Sequence, residues 1–85
     1  MGNVSFPVMI GDVQKNSREL VRVSLTEFKG YKLVDVRIYA GADDDAKPTG
    51  KGISVKASTL PALIVLLQKA EAQARTMGLI DGGAQ

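Results

Sequence analysis

LVRVSLTEFKGYKLVDVRIYA, residues 20–40, reads as two β-strands around a turn. In its first half Val21, Val23 and Leu25 fall on one side, and Arg22, Ser24 and Thr26 on the other. The second half sets Val34, Val36 and Ile38 against Tyr31, Leu33, Asp35, Arg37 and Tyr39. A period of two is the pattern of a strand with one face buried. Only Lys29 and Gly30 separate the halves, and so short a connection favours an antiparallel hairpin.

Upstream, SFPVMIGDV (5–13) is a short apolar run that suits an edge strand or an ordered arm, and QKNSRE (14–19) is a polar loop. Downstream, GADDDAKPTGKG (41–52) has the composition of a loop, and GISVKA (52–57) that of a further strand, Ile53 and Val55 opposing Ser54 and Lys56. Ser58 or Thr59 is placed to cap a helix with Pro61 in its first turn, where proline forfeits no hydrogen bond. Leu60, Leu63, Ile64, Leu67, Ala70, Ala74 and Met77 recur at helical spacing, and Gly78 is the expected stop. Val65 and Leu66 lie off that stripe, so the first half of the helix is apolar nearly all round. A helix covering one sheet needs no second stripe, so the sequence predicts packing on the sheet and on a second subunit together. Leu63, Ile64, Leu66, Leu67 and Ala70 are the expected dimer contacts. The fold class is therefore α+β, antiparallel strands followed by one long C-terminal helix. Residues 1–19 form an arm with a first strand, 20–77 the core and 78–85 a flexible tail.

Composition narrows the function. With 85 residues there is room for one domain, and a chain this short buries only roughly 60% of its unfolded surface, which favours oligomerisation. Cysteine and histidine are both absent, which removes thiolate chemistry, the commonest metal ligand and the commonest general base. The acidic run Asp43–Asp45 lacks the alternating spacing of a calcium loop, and PTGKG lacks the full phosphate-loop spacing and precedes a strand. No catalytic residues, metal site or cofactor are expected. MGNVSF fits the N-myristoylation pattern loosely, but nothing polybasic follows it. No basic leader and no apolar run of about 18 residues is present, so a soluble intracellular protein with no membrane partner is expected.

The binding inventory is richer. The chain has two phenylalanines and two tyrosines, and Phe28, Tyr31 and Tyr39 lie together among cations. Arg22, Lys29, Lys32, Arg37, Lys47, Lys51 and Lys56 fill the central segment, so strands there can present a positive face although the net charge is only +2. Single-stranded nucleic acid is held by cations along its phosphates and by rings stacked on unpaired bases, the latter at about 1–3 kcal/mol per base. Two readings stand for Phe28: a plug at the end of the core, or a ring left outside for a base. Arg37 and Asp35, two apart on one strand face, also suit a solvated ion pair of little energetic worth.

VRVSLTEFKGYKLVDVRIY, then KPTGKGISV, then the proline-started helix, together resemble the positive-cofactor-four (p15) family of transcriptional coactivators, from about Leu20 to Ala70. The resemblance implies a strongly curved four-stranded antiparallel sheet backed by the helix, in a whirly-like homodimer, with FPVMIGDV as the first strand. It also implies binding of single-stranded or melted DNA without sequence preference. Carried over residue by residue, it assigns stacking to Phe28, a backbone contact to Lys29, cations to Arg37, Lys47 and Lys51, and a thin backbone to Gly52. Arg22, Tyr31, Lys32 and Tyr39 complete the candidate site. Tyr31 stands where the family usually has lysine, Ala40 where eukaryotic members have tryptophan, and Gly50 and Thr26 where they have arginines. Stacking by Tyr31 and Tyr39 is the expected compensation. With about twenty residues before the core, the resemblance is to a minimal, bacterial or phage-like member. It would be cytoplasmic or nucleoid-associated in a bacterium and nuclear in a eukaryote. The expected role is transcription regulation, replication or repair, with the transcription machinery a candidate partner. RNA binding, or a protein-interaction scaffold with weakened nucleic-acid binding, are the competing functions.

Overall fold

The computed structural model describes residues 5–41 and 45–80. Among them are four strands, β1 (Val8–Gln14), β2 (Glu19–Phe28), β3 (Tyr31–Ala40) and β4 (Lys47–Lys56), and one helix, α1 (Leu60–Thr76). The strands form one antiparallel sheet in sequence order, with β1 and β4 at its edges.

The β2–β3 hairpin follows the sequence pattern residue for residue, from Glu19 opposite Ala40 to Phe28 opposite Tyr31. Its turn consists of Lys29 and Gly30, both with positive φ (52° and 84°), the backbone sign of a two-residue turn matched to strand twist. The next loop, residues 15–18, is tied by Asn16, whose Oδ1 accepts the N–H groups of Arg18 and Glu19. The Asn16 amide and Lys15 both donate to Glu19 Oε1. Those two donors, Asn16 first, hold the Glu19 carboxyl below the 4.5 usual for glutamate.

Two local expectations are corrected. The segment Lys47–Gly52 is strand, the beginning of β4. Pro48 is tolerated because β4 is an edge strand, and the glycines accompany an irregularity between Arg37 and Tyr39 in the β3–β4 ladder. Thr59 is the helix N-cap but makes no side-chain capping bond; a 3-10 turn, Ala57–Thr59, leads into α1 instead. Gly78 does end the helix. With φ of 77° it lets Leu79 N–H reach the Ala74 carbonyl and its own N–H reach that of Arg75, the paired bonds of a Schellman motif.

The apolar side of the sheet carries Val21, Val23, Leu25, Val34, Val36, Ile38, Ile53 and Val55, yet only Val34 among the described apolar residues is buried. No residue of α1 is buried either, and Leu66 and Leu67 are about 60% exposed. The Cα radius of gyration is 15.2 Å, where a compact 85-residue domain has about 12 Å. Helix and sheet each display an apolar face that this chain alone leaves open.

Candidate nucleic-acid interface

The other side of the sheet is built in rows, one residue from each strand. Across the middle run Asp12, Arg22, Arg37 and Gly52. On one side of that row lie Gln14, Leu20, Tyr39 and Pro48. On the other come Met9, Ser24, Asp35 and Ser54, then Thr26, Leu33 and Lys56, and finally Phe28 with Tyr31 at the turn.

Phe28 is 60% exposed and Tyr31 56%, so neither ring plugs the core. Each has a lysine ammonium near its ring: Lys29 Nζ lies 5.3 Å from the Phe28 centroid and Lys56 Nζ 5.0 Å from that of Tyr31. A ring bordered by a cation offers stacking and phosphate attraction at one spot.

Arg22 and Arg37 face each other across β2 and β3, a pairing of like charges that is unfavourable alone. Each is answered by a carboxylate. Arg37 donates through Nε and Nη2 to Asp35, at 2.8 Å for the shortest bond, and through Nη1 to the Thr49 carbonyl at 3.0 Å. The pair is part-buried, with side-chain exposures of 23% and 14%, so it is better fixed than the solvated pair expected from spacing. Arg22 makes a bidentate pair with Asp12, Nε to Oδ1 at 2.7 Å and Nη2 to Oδ2 at 3.0 Å, and its guanidinium lies 4.5 Å from the Tyr39 ring centroid. These carboxylates raise both arginines above their usual pKa, and hydrogen bonding from Arg22 holds Asp12 below the usual 3.8.

Thr49 organises the start of β4: its hydroxyl donates to the Ile38 carbonyl and accepts from Lys51 N–H, while its carbonyl takes Arg37. Gly52 is required beside it. A Cβ there would lie 2.5 Å from the Val36 oxygen and 2.7 Å from Arg37 Cα.

The structure thus brings Arg22, Phe28, Tyr31, Arg37, Tyr39 and Gly52 to one face, with Lys29 at its turn. It does not bring Lys32 there: Lys32 pairs with Glu27 on the apolar side, at 2.7 Å. Lys47 stands opposite Ala40, out of phase with Tyr39. Lys51 alternates with Gly52 and lines an apolar depression of about 330 Å³ with Val21, Val36, Ile38 and Ile53. Both are rim cations of the edge strand β4. Asp12 and Thr49 were not singled out by the sequence; Lys56 was counted among the central cations, alternating with Val55, but not placed in the candidate site. Asp43, Asp44, Gly2 and the end of the tail lie outside the described residues. Among the described residues no cluster of three or more acidic side chains could hold a metal ion, and no helix is long and apolar enough to cross a membrane.

Rings and guanidinium groups share one face of an antiparallel sheet followed by a single helix, a chemistry of the kind that holds nucleic acid. Residues 15–66, more than half the chain, match the family Transcriptional Coactivator p15 (PC4), and the chain belongs to that family. Its structure is similar to that of BPSL1147, a PC4 homolog from Burkholderia pseudomallei K96243. In the tetragonal crystal form the identity is 34% and the TM-score 0.69, covering 78% of this chain and 98% of that one. In the orthorhombic form the values are 32% and 0.71, covering 82% and 96%. The search of curated proteins found no match. The fold, the transcription-related family and its bacterial neighbours agree with the resemblance read from the sequence.

Proposed function

We propose that this chain is a homodimeric, sequence-nonspecific single-stranded DNA-binding protein, a minimal bacterial-type member of its family acting at DNA inside the cell. The observation that carries the reading is the cross-strand pair Phe28 and Tyr31, two exposed rings on the same face as Arg22 and Arg37. Rings on that face are useless to a duplex, whose bases are stacked already, and useful to a strand whose bases are free. In this reading Phe28 and Tyr31 stack on bases, Lys29 and Lys56 draw the phosphates, Arg37, paired with Asp35, adds its remaining Nη donors, and Lys47 and Lys51 add attraction from the rim.

Dimerisation is supported by the two open apolar faces. In this reading the stripe of Leu63, Ile64, Leu67 and Ala70, with Leu66 beside it, covers the sheet of a second copy, the depression at Val21, Val36 and Ile53 included. Each leucine fully buried there would contribute about 1.5–3 kcal/mol.

The test is a titration of labelled (dT)12 and of a matched duplex at two salt concentrations, with sizing of the free protein. Tight binding of the single strand, much weaker binding of duplex and a dimer by size are expected. Equal affinity for the two DNAs would remove the reading, and equal or tighter binding of a matched RNA would redirect it.

A further inference from the structure

We infer that Arg22 is a base-stacking platform and not a phosphate clamp, forming a second stacking station on the same face, well apart from Phe28. The inference rests on the single-strand reading above and adds the chemistry of one subsite.

Three contacts fix the Arg22 guanidinium. Its side-on fork, Nε and Nη2, is filled by both oxygens of Asp12. Its Cζ lies over the ring of Tyr39, a diagonal neighbour across β2 and β3, 4.5 Å from the centroid. Its charge is neutralised by a carboxylate from the adjoining strand, so the pair as a whole attracts a phosphate weakly. The side chain keeps 21% of its surface exposed, and a guanidinium lying along the Tyr39 ring would turn its second planar face to that opening. A planar cation held flat on a ring presents its outer face to a base, and guanidinium planes stack on unpaired bases as aromatic rings do. Asp12 therefore acts as a positioning residue, its two oxygens fixing the guanidinium beside Tyr39 where an unpaired arginine would swing towards phosphate.

The location suits a separate station. Arg22 and Phe28 lie six positions apart on β2, roughly 20 Å along the strand. That exceeds the roughly 3.4 Å between successive nucleotides of a stacked strand, so the two stations take different bases.

Lysine at position 22 keeps the charge and the ion pair and abolishes the plane, which makes Arg22→Lys the decisive variant. Its binding is measured on (dT)12 and on a 12-mer of abasic deoxyribose phosphates carrying the same charge. The expected result is at least about a fivefold loss on (dT)12, no loss on the abasic chain and an unchanged salt slope. Wild-type affinity of Arg22→Lys for both ligands, with Arg22→Ala weakening both alike and lowering the salt slope by about 0.7, would make Arg22 a phosphate clamp and overturn the inference. Should Arg22→Lys fail to fold, the double variant Phe28→Ala, Tyr31→Ala serves, since both side chains are exposed. A remaining preference of that variant for (dT)12 over the abasic chain supports a second station; equal affinity for the two removes it. Failure of the wild type to bind (dT)12 at all would instead remove the single-strand reading and this inference with it.

Discussion

Gly52 lies directly opposite Arg37 in the β3–β4 ladder, so close that a methyl group on Gly52 would meet the Arg37 backbone and the Val36 carbonyl below contact distance. The glycine lets β4 pass beside the arginine without pushing it off Asp35 and Thr49. Gly52→Ala is therefore expected to destabilise the protein by about 1–3 kcal/mol, the usual cost of overpacking, and to weaken DNA binding by displacing Arg37. Urea denaturation followed by circular dichroism measures the first effect. An unchanged midpoint would mean that β4 can shift freely at this position.

Phe28 touches solvent more than protein, so its removal should separate binding from folding. Phe28→Ala is expected to lose about 1–3 kcal/mol of single-strand affinity while the unfolding free energy moves by less than about 0.5 kcal/mol. Fluorescence anisotropy beside thermal melting reads both. Loss of stability in place of affinity would return Phe28 to the role of a core plug.

Lys29 holds a positive φ of 52°, a conformation that costs a non-glycine side chain about 1–2 kcal/mol and that asparagine adopts more readily. The turn keeps this strain while setting a cation beside the Phe28 ring. Lys29→Asn should stabilise the fold by about 0.5–1 kcal/mol and lower the salt slope of DNA binding by about 0.7. Stability and slope are measured on the same preparation; a variant less stable than wild type would show that Lys29 supports the turn.

Asp12 and Glu19 are both held below their usual carboxyl range, Asp12 first by its hydrogen bond from Arg22 and Glu19 by those from Asn16 and Lys15. A depressed folded pKa stabilises the fold above the unfolded value, here near 3.8 and 4.5, and that stability is lost as pH falls through the folded value. Stability should thus be level through neutral pH and decline below about 4.5. Carbon-detected NMR titration is expected to place the Asp12 midpoint under 3.8. Arg22→Lys keeps an ion pair and should retain part of that depression, whereas Arg22→Ala should abolish it.

Leu67 is exposed in the single chain, so its own subunit has little to lose from its replacement. Leu67→Asp is expected to shift the protein from dimer to monomer or unfolded chain in sedimentation experiments at micromolar concentration. Removing one buried leucine from each subunit at about 1.5–3 kcal/mol accounts for such a shift. A variant that sediments as a stable dimer would move the interface elsewhere.

The sequence alone determined the β2–β3 hairpin, its turn, the helix and the helix stop. These follow from local rules: alternation, two residues between strands, apolar spacing at three and four, and a glycine able to take positive φ. The same alternation placed Tyr31, Arg37 and Tyr39 on one side, because strand parity is a property of the chain itself, while Phe28 stayed open between core plug and outward ring. Tertiary structure decided what parity cannot carry. Whether Lys47–Gly52 is loop or strand depended on β3 being there to pair with it, and the side on which Lys47 and Lys51 emerge depended on the irregular register beside Tyr39. The contacts of Asp12 with Arg22, and of Arg22 with Tyr39, join residues on three strands whose registers no local pattern specifies. Charge and ring chemistry are written in each residue, but which charge meets which ring is settled only when the strands lie side by side.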